Sequence, residues 1–400
     1  MRIAPRWTTW LLVLGTVLSL SVGIAQARVW DPAYEAKVGK EALDQVKKEY
    51  KVYDSPEDTK RIAAILSDLA ASSTRPDVKY QVFLLDTTEE NAFSLPGGYV
   101  CVTKALLANS QSNDELAAVL AHEMAHNCNY DALEESRRAE QMTVPVLAAV
   151  VAAMITGKGG NAVANTFMAG MYVANGIMST YSVKVENQAD SDGLNFMLKC
   201  GKYNPVGMLT FMERLAAQER SRPPQVLGIF QTHPFSVDRV VNISDRLAQA
   251  GVTINRRAVT KWDPPVLTTG KLAGGEVQTL SLWKHDLFSF NAAPGGGDVA
   301  ARGAAMVKAL TAALASGAET WEFYVDTPDG HPTLTARGQT LVVIYPEDAQ
   351  LNGTTPEALA AKLLRNLNNA LFAEQLDRLY DSAPFPPATP AKPSAFRGVT

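Results

Sequence analysis

The spacing of apolar residues changes along the chain, and each change predicts a change of element. Residues 31–71 read as helical, with a break at Asp54-Ser55-Pro56 where Pro56 suits the first turn of a second helix. Residues 78–85 (VKYQVFLL) are rich in β-branched and aromatic residues and predict a strand, as do residues 99–103 after Gly97-Gly98. Between them, Pro96 is incompatible with a central strand, so residues 91–96 belong to a strand edge or a loop. The pair Ser112 and Glu115 has the spacing of a capping box before the run LAAVLAHEMAH, which predicts a helix.

Residues 143–155 are apolar but too short to span a bilayer. Residues 161–181 are long enough, but Asn161, Asn165 and Asn175 would be costly in lipid, so a buried or surface-lying helix pair is expected. Further helices are predicted around ENQAD (ending near Gly201), over 206–220 and over 236–251. The pattern then shifts. Asp263-Pro264-Pro265 reads as a linker, and beyond it strands are expected at 277–290, 321–325 and 340–344. Helices are expected at 299–315 and 356–379. Gly295-Gly296-Gly297 lacks the Lys-Ser/Thr of a phosphate loop, and residues 383–400 form a Pro-rich tail expected to be disordered.

Composition adds limits. The chain is 46% hydrophobic and 20% charged, ordinary for a folded protein, and its net charge of −4 has no basic block, which argues against nucleic-acid binding. Arg2 and Arg6, an apolar stretch over 10–24 and Ala25-Gln26-Ala27 make the pattern of a secretory signal peptide cut after Ala27. Removing residues 1–27 takes away two arginines and no acid, so −4 becomes −6. Cys101, Cys128 and Cys200 are too few and too scattered for a disulfide scaffold or a ligand set.

The chemistry lies in His122-Glu123-Met124-Ala125-His126. Residues i and i+4 share a helix face, so both imidazoles can reach one metal ion, and neutral imidazole is a standard zinc ligand. Glu123, one residue on, is placed to take a proton from the hydrolytic water. A catalytic zinc needs a third protein ligand. Glu186 and Asp190, again i and i+4, are candidates for that ligand and for an acceptor of a ligand histidine's second ring nitrogen.

HEMAH and ENQAD, with residues 91–98 (NAFSLPGG) and Thr232-His233-Pro234, resemble the HtpX-like and CAAX prenyl protease type of zinc metallopeptidase. The likeness covers roughly residues 31–250 and does not extend clearly to 260–400. It implies a gluzincin fold holding one zinc ion on His122, His126 and Glu186, with Glu123 as general base and acid. It also implies that His233 and Arg239 line the active site and stabilise the oxyanion. In some exported relatives the corresponding histidine can instead approach the metal and hold the enzyme inactive. Residues Asn91, Ala92, Phe93, Leu95, Pro96 and Gly97 are expected to border the cleft and pair with an extended substrate backbone. Many relatives have a further histidine where this chain has Cys128 and Tyr130. His331-Pro332 with Arg337 repeats the spacing of His233-Pro234 with Arg239, but His331 follows the hairpin signal Asp329-Gly330 and is expected at a surface turn. His285 has no partner pattern.

The resulting expectation is an α+β chain. A mainly helical zincin-type metallopeptidase domain (28–255) with a small edge sheet precedes a smaller α/β domain (266–382). The expected function is a periplasmic, zinc-dependent endopeptidase acting on misfolded or misassembled polypeptides of the bacterial envelope. Residues 143–181 would provide a peripheral membrane contact, and the C-terminal domain a surface for an envelope protein partner. The alternatives are a chaperone-like or assembly factor with a latent metal site, and a membrane-interaction protein in which the motif is vestigial.

Overall fold

Asp31 and Ser55 start the first two helices, each accepting a first-turn backbone N–H on its side chain, with proline in the first turn of each. These helices, α1 (Pro32–Glu49) and α2 (Pro56–Ala70), precede three strands. In this computed structural model, which describes residues 30–135, 137, 181–221, 233, 237–272 and 275–380, the strands are β1 (Gln81–Leu85), β2 (Ala92–Leu95) and β3 (Tyr99–Thr103). The order is β1-β3-β2, with β1 parallel and β2 antiparallel to β3. The segment 92–95 is therefore an edge strand, as Pro96 requires. The expected signal peptide, the two apolar segments up to residue 180, Thr232, Pro234 and the Pro-rich tail lie outside the described residues.

A short helix, α3 (Lys104–Asn109), leads into α4 (Asn113–Cys128), which carries the HEMAH motif. Ser112 caps α4 by accepting from Glu115 N. Only half of the predicted capping box forms. The Glu115 carboxylate takes the N–H of Gln111 and two N–H groups of Arg214, so it serves a buried tertiary ion pair instead. Every residue of α4 from Glu115 to Cys128 is buried. Around it stand α2, α5 (Val183–Cys200), α6 (Val206–Ser221) and α7 (Val237–Gln249). Leu66, Leu69, Leu116, Leu120, Met124, Phe196, Leu209 and Ile243 join in one core. The crossing of α5 over α4 is close enough that a Cβ on Gly193 would lie 3.0 Å from the His122 backbone nitrogen. That approach brings Glu186 and Asp190 to the histidines.

A second core, built on Leu280, Phe290, Leu310, Leu334, Leu363 and Leu367, belongs to residues after the Asp263-Pro264-Pro265 linker. It contains two three-stranded antiparallel sheets. The first is β4 (Val266–Leu272), β5 (Gly275–Leu282) and β6 (His285–Phe290); the second is β7 (Phe323–Asp326), β8 (Thr333–Ala336) and β9 (Gln339–Val343). Helices α8 (Val299–Ala315), α9 (Pro346–Leu351) and α10 (Pro356–Tyr380) pack with them, and α10 also lies against α6. The chain is thus a mainly helical unit with a small sheet, followed by a smaller α/β unit.

The segment 277–290, expected as one strand, is a hairpin turning at Trp283-Lys284, both at positive φ. Such turns favour Asn and Gly, which is why the sequence carries no turn signal there. Strands β4 and β8 and the short helix α9 are also additional to the sequence expectation. Among the described residues no helix is long and apolar enough to cross a membrane.

Candidate metal centre

One turn of α4 separates His122 from His126, so their rings point the same way, and their Nε2 atoms stand 3.0 Å apart. Glu186, from the first turn of α5, lies 3.4 Å from each of these nitrogens through its two oxygens. His233 Nδ1 completes the group, 3.3 Å from His122 Nε2 and 3.1 Å from Glu186 Oε1. All four residues are buried.

The ring tautomers decide what this cluster requires. His122 Nδ1 faces Asp190 Oδ1 at 2.9 Å, and His126 Nδ1 faces Asp131 Oδ2 at 2.8 Å. A carboxylate beside Nδ1 keeps the proton there, which leaves both Nε2 atoms as bare acceptors aimed at each other. Two lone pairs at 3.0 Å beside a buried carboxylate are repulsive unless a cation or a proton lies among them. On a tetrahedral zinc with bonds of about 2.0–2.1 Å, donors stand about 3.3 Å apart, close to the spacings here. The donor set fits zinc, which is the cofactor of this centre.

The electrostatics agree. Burial would lower the His122 imidazole pKa, but Asp190 and Glu186 outweigh it and push it up to about 10. Burial would raise Glu186, yet the surrounding histidines hold it far below the carboxylate range. Asp190, despite its burial, is drawn down to about 2, chiefly by Arg239. The cavity is built for positive charge.

Arg239, on α7, is buried and fully committed. Its Nε and Nη2 each donate to Asp190 at 2.7 Å, and Nη1 lies 2.7 Å from Glu186 Oε2. It therefore ties the acidic residues of α5 together while bordering the adjoining pocket.

Glu123 stays outside the ligand group. Its Oε2 accepts the Ser94 N–H at 3.0 Å, and its Oε1 lies 3.3 Å from His233 Nε2. The Ser94 hydroxyl donates to the Glu123 backbone carbonyl at 2.7 Å, and Asn127 Nδ2 donates to Leu95 O at 2.9 Å. These bonds fix β2 against α4. Of the six residues expected to border the cleft, Asn91, Ala92, Leu95 and Pro96 are buried, and Phe93 and Gly97 are half-buried. Beside Glu123 and His122 lies an apolar pocket whose walls include Val119 of α4 and Met208, Phe211, Met212 and Leu215 of α6.

Sequence reasoning missed Asp131, Ser94 and Tyr181. Asp131 follows the helix end and is turned back to His126 by Tyr130, which sits at φ 58° with its ring under the Arg75 guanidinium. An acid five residues after the second histidine was the available signal. Ser94 sits within the edge segment itself. Tyr181 stacks on His126 with 4.2 Å between ring centroids, and nothing in the sequence marked it. His331 packs near Tyr345, and Arg337 pairs with Glu322, both apart from the metal group.

Residues 279–374 match a family described as a domain of unknown function. Similar proteins include the β-barrel assembly-enhancing protease of Escherichia coli strain K12, 29% identical over 62% of this chain and 50% of the relative. The mitochondrial metalloendopeptidase OMA1 of Schizosaccharomyces pombe is 28% identical over 55% of this chain and 63% of its own. The metalloprotease LoiP of Escherichia coli strain K12 is 27% identical over 48% of this chain and 72% of its own. The chain spans about half the length of the first of these. Residues 56–247, which contain all four members of the metal group together with Glu123, Asp190 and Arg239, match peptidase family M48.

Proposed function

We propose that this protein is a zinc-dependent endopeptidase of the bacterial cell envelope, hydrolysing peptide bonds in misfolded or misassembled proteins. The observation that carries the reading is Glu123, a carboxylate on the ligand helix that lies outside the ligand group and faces an apolar pocket. In this reading His122, His126 and Glu186 hold the zinc, and Asp190 and Asp131 orient the two rings. Zinc, when bound, polarises the scissile carbonyl and makes the attacking water more acidic. Glu123 takes the proton of that water and delivers it to the leaving amine. The Ser94 N–H fixes Oε2, so Oε1 is the oxygen that exchanges the proton. His233 donates to the developing oxyanion, and Arg239 contributes by holding Glu186 and Asp190 in place.

The polypeptide adds as a strand to the outer edge of β2, along residues 91–97. Because most of those side chains are buried, the main chain supplies the affinity, and the pocket under Met208, Phe211 and Met212 receives an apolar side chain. The existence of two separate cores supports a division into 28–255 and 266–382, and the leader-like N-terminus supports a periplasmic location. Action on proteins under assembly is supported by the likeness to the β-barrel assembly-enhancing protease of E. coli.

The test is casein cleavage by wild type beside Glu123→Gln, with zinc content measured on both. About one zinc in each, with turnover reduced about 10²–10⁴-fold in the variant, supports the assignment. Absence of zinc from a carefully loaded wild type would sink it.

A second reading draws on His233, whose Nδ1 lies within the ligand group. There His233 closes the fourth position and keeps the site latent. His233→Ala would then raise proteolysis; if His233 serves the oxyanion, the same change lowers it.

A further inference from the structure

At the junction of the two units, Arg256 and Arg257 from the turn after α7 meet Arg378 from the last turns of α10. Arg256 donates through Nε and Nη2 to Glu213 of α6, at 2.6–3.1 Å. Arg257 donates through Nε and Nη2 to Glu374, and through Nη1 to Ala318 O. Glu213 and Glu374 are thereby engaged as paired forks. Arg378 is left with a share of Glu374, whose nearest oxygen is 3.8 Å from its Nη1, beyond hydrogen-bond reach. Its Nε is buried and has no acceptor among the described residues. Its side chain is 12% exposed, so bulk water does little to compensate it.

This guanidinium faces a cavity of about 230 Å³. Arg256, Arg257, Glu319, Thr320 and Trp321 also line it. Arg256 Nη1 is a second available donor, since its nearest carboxylate, on Glu319, is 3.7 Å away. Trp321, at 78% exposure, presents an uncovered indole at the rim. Burial, with the like charges of Arg256 and Arg257, depresses the Arg378 pKa against the pull of Glu374, the sign of a cation short of counter-charge.

We propose that this cavity binds an oxyanion, a carboxylate or a phosphate group, through Arg378 and Arg256, with Trp321 covering the group that bears it. A planar guanidinium with unsatisfied donors suits either oxyanion, and an indole beside it suits an aromatic or apolar appendage. The cavity shares no residue with the metal group, so the site stands apart from the peptidase reading.

The experiment follows the tryptophan indole N–H resonances of the zinc-loaded protein by NMR. Sodium phosphate is titrated against sodium chloride at constant ionic strength. The Trp321 resonance, identified by its loss in Trp321→Phe, is expected to shift saturably with phosphate and not with chloride. In Arg378→Gln the apparent affinity should fall about tenfold or more. A short N-acetylated peptide ending in a free carboxylate, compared with its amide, separates the sources. Binding of the acid alone identifies a polypeptide terminus; binding of phosphate but neither peptide identifies a phosphate group. The proposal is overturned if Trp321 shows no saturable shift with any of these probes, or if Arg378→Gln binds as wild type does. The wild-type titration decides the matter even if Arg378→Gln does not fold.

Discussion

Ser94 holds Glu123 at both ends: its backbone N–H donates to the carboxylate at 3.0 Å, and its hydroxyl donates to the main-chain carbonyl at 2.7 Å. The acid on α4 and the edge strand that would receive substrate are therefore one mechanical unit. Ser94→Ala removes only the hydroxyl bond, worth about 1 kcal/mol, and should reduce kcat by roughly fivefold with zinc content unchanged. Ser94→Pro also removes the N–H that holds a charged group, worth about 1.5–3 kcal/mol, and should reduce kcat by a further tenfold or more. Steady-state kinetics on a quenched peptide, with KM reported separately, checks both.

Asp131 does for His126 what Asp190 does for His122. Asp131→Asn should weaken zinc binding about 10–100-fold, because the amide no longer fixes the ring tautomer. Competition with a chelating dye measures this. An unchanged zinc affinity would show that the Asp131 contact is merely packing.

Chelation should destabilise the first core selectively. A zinc ion at a hundredfold excess over its Kd contributes about 2.7 kcal/mol, several degrees in Tm for a domain of this size. Calorimetry with and without EDTA should show the transition of the metal-bearing unit moving down while a second transition, assigned to the C-terminal core, stays. A single transition that moves as a whole would mean the two cores unfold as one.

Gly39 tests whether α1 shapes the cleft. A Cβ there would lie 1.8 Å from the Pro96 carbonyl oxygen, so Gly39→Ala forces α1 away from the loop following β2. The expected cost is about 1–3 kcal/mol in stability, with KM rising because the substrate edge is displaced. Thermal melting and peptide kinetics give the two readouts.

The three thiols should differ in reactivity. Burial pushes Cys101 up to about 12, Cys128 is also buried, and Cys200 is half-buried. Ellman's reagent should label one thiol quickly in the native protein and three after denaturation. Rapid labelling of two or more in the native state would contradict this packing.

The meeting of His122, His126 and Glu186 was legible because helical periodicity turns a spacing of four into a shared face, and HEMAH and ENQAD each use it. What escaped depends on distance in space alone. Glu115 reads as half of a capping box, yet its carboxylate is taken by Arg214, nearly a hundred residues away, and no local pattern reports that. Arg239 was expected to face a developing charge; the structure engages it with Asp190 and Glu186. The Trp283-Lys284 turn lacks its usual residues, and so one expected strand is two. For Glu115 and Arg239 the deciding partners are distant in sequence; for the hairpin it is a backbone conformation that its residues do not announce.

Helix α4 has no solvent-facing side from Glu115 onward, whereas two of the four pocket residues on α6 are methionines. Thioethers repack at little cost, while a residue enclosed on all sides cannot change without disturbing several neighbours. Under the proposed function, substitutions at Met208 and Met212 would retune the pocket beside Glu123 at little cost to the fold, whereas a change in the spacing of His122 and His126 would disturb the whole of α4.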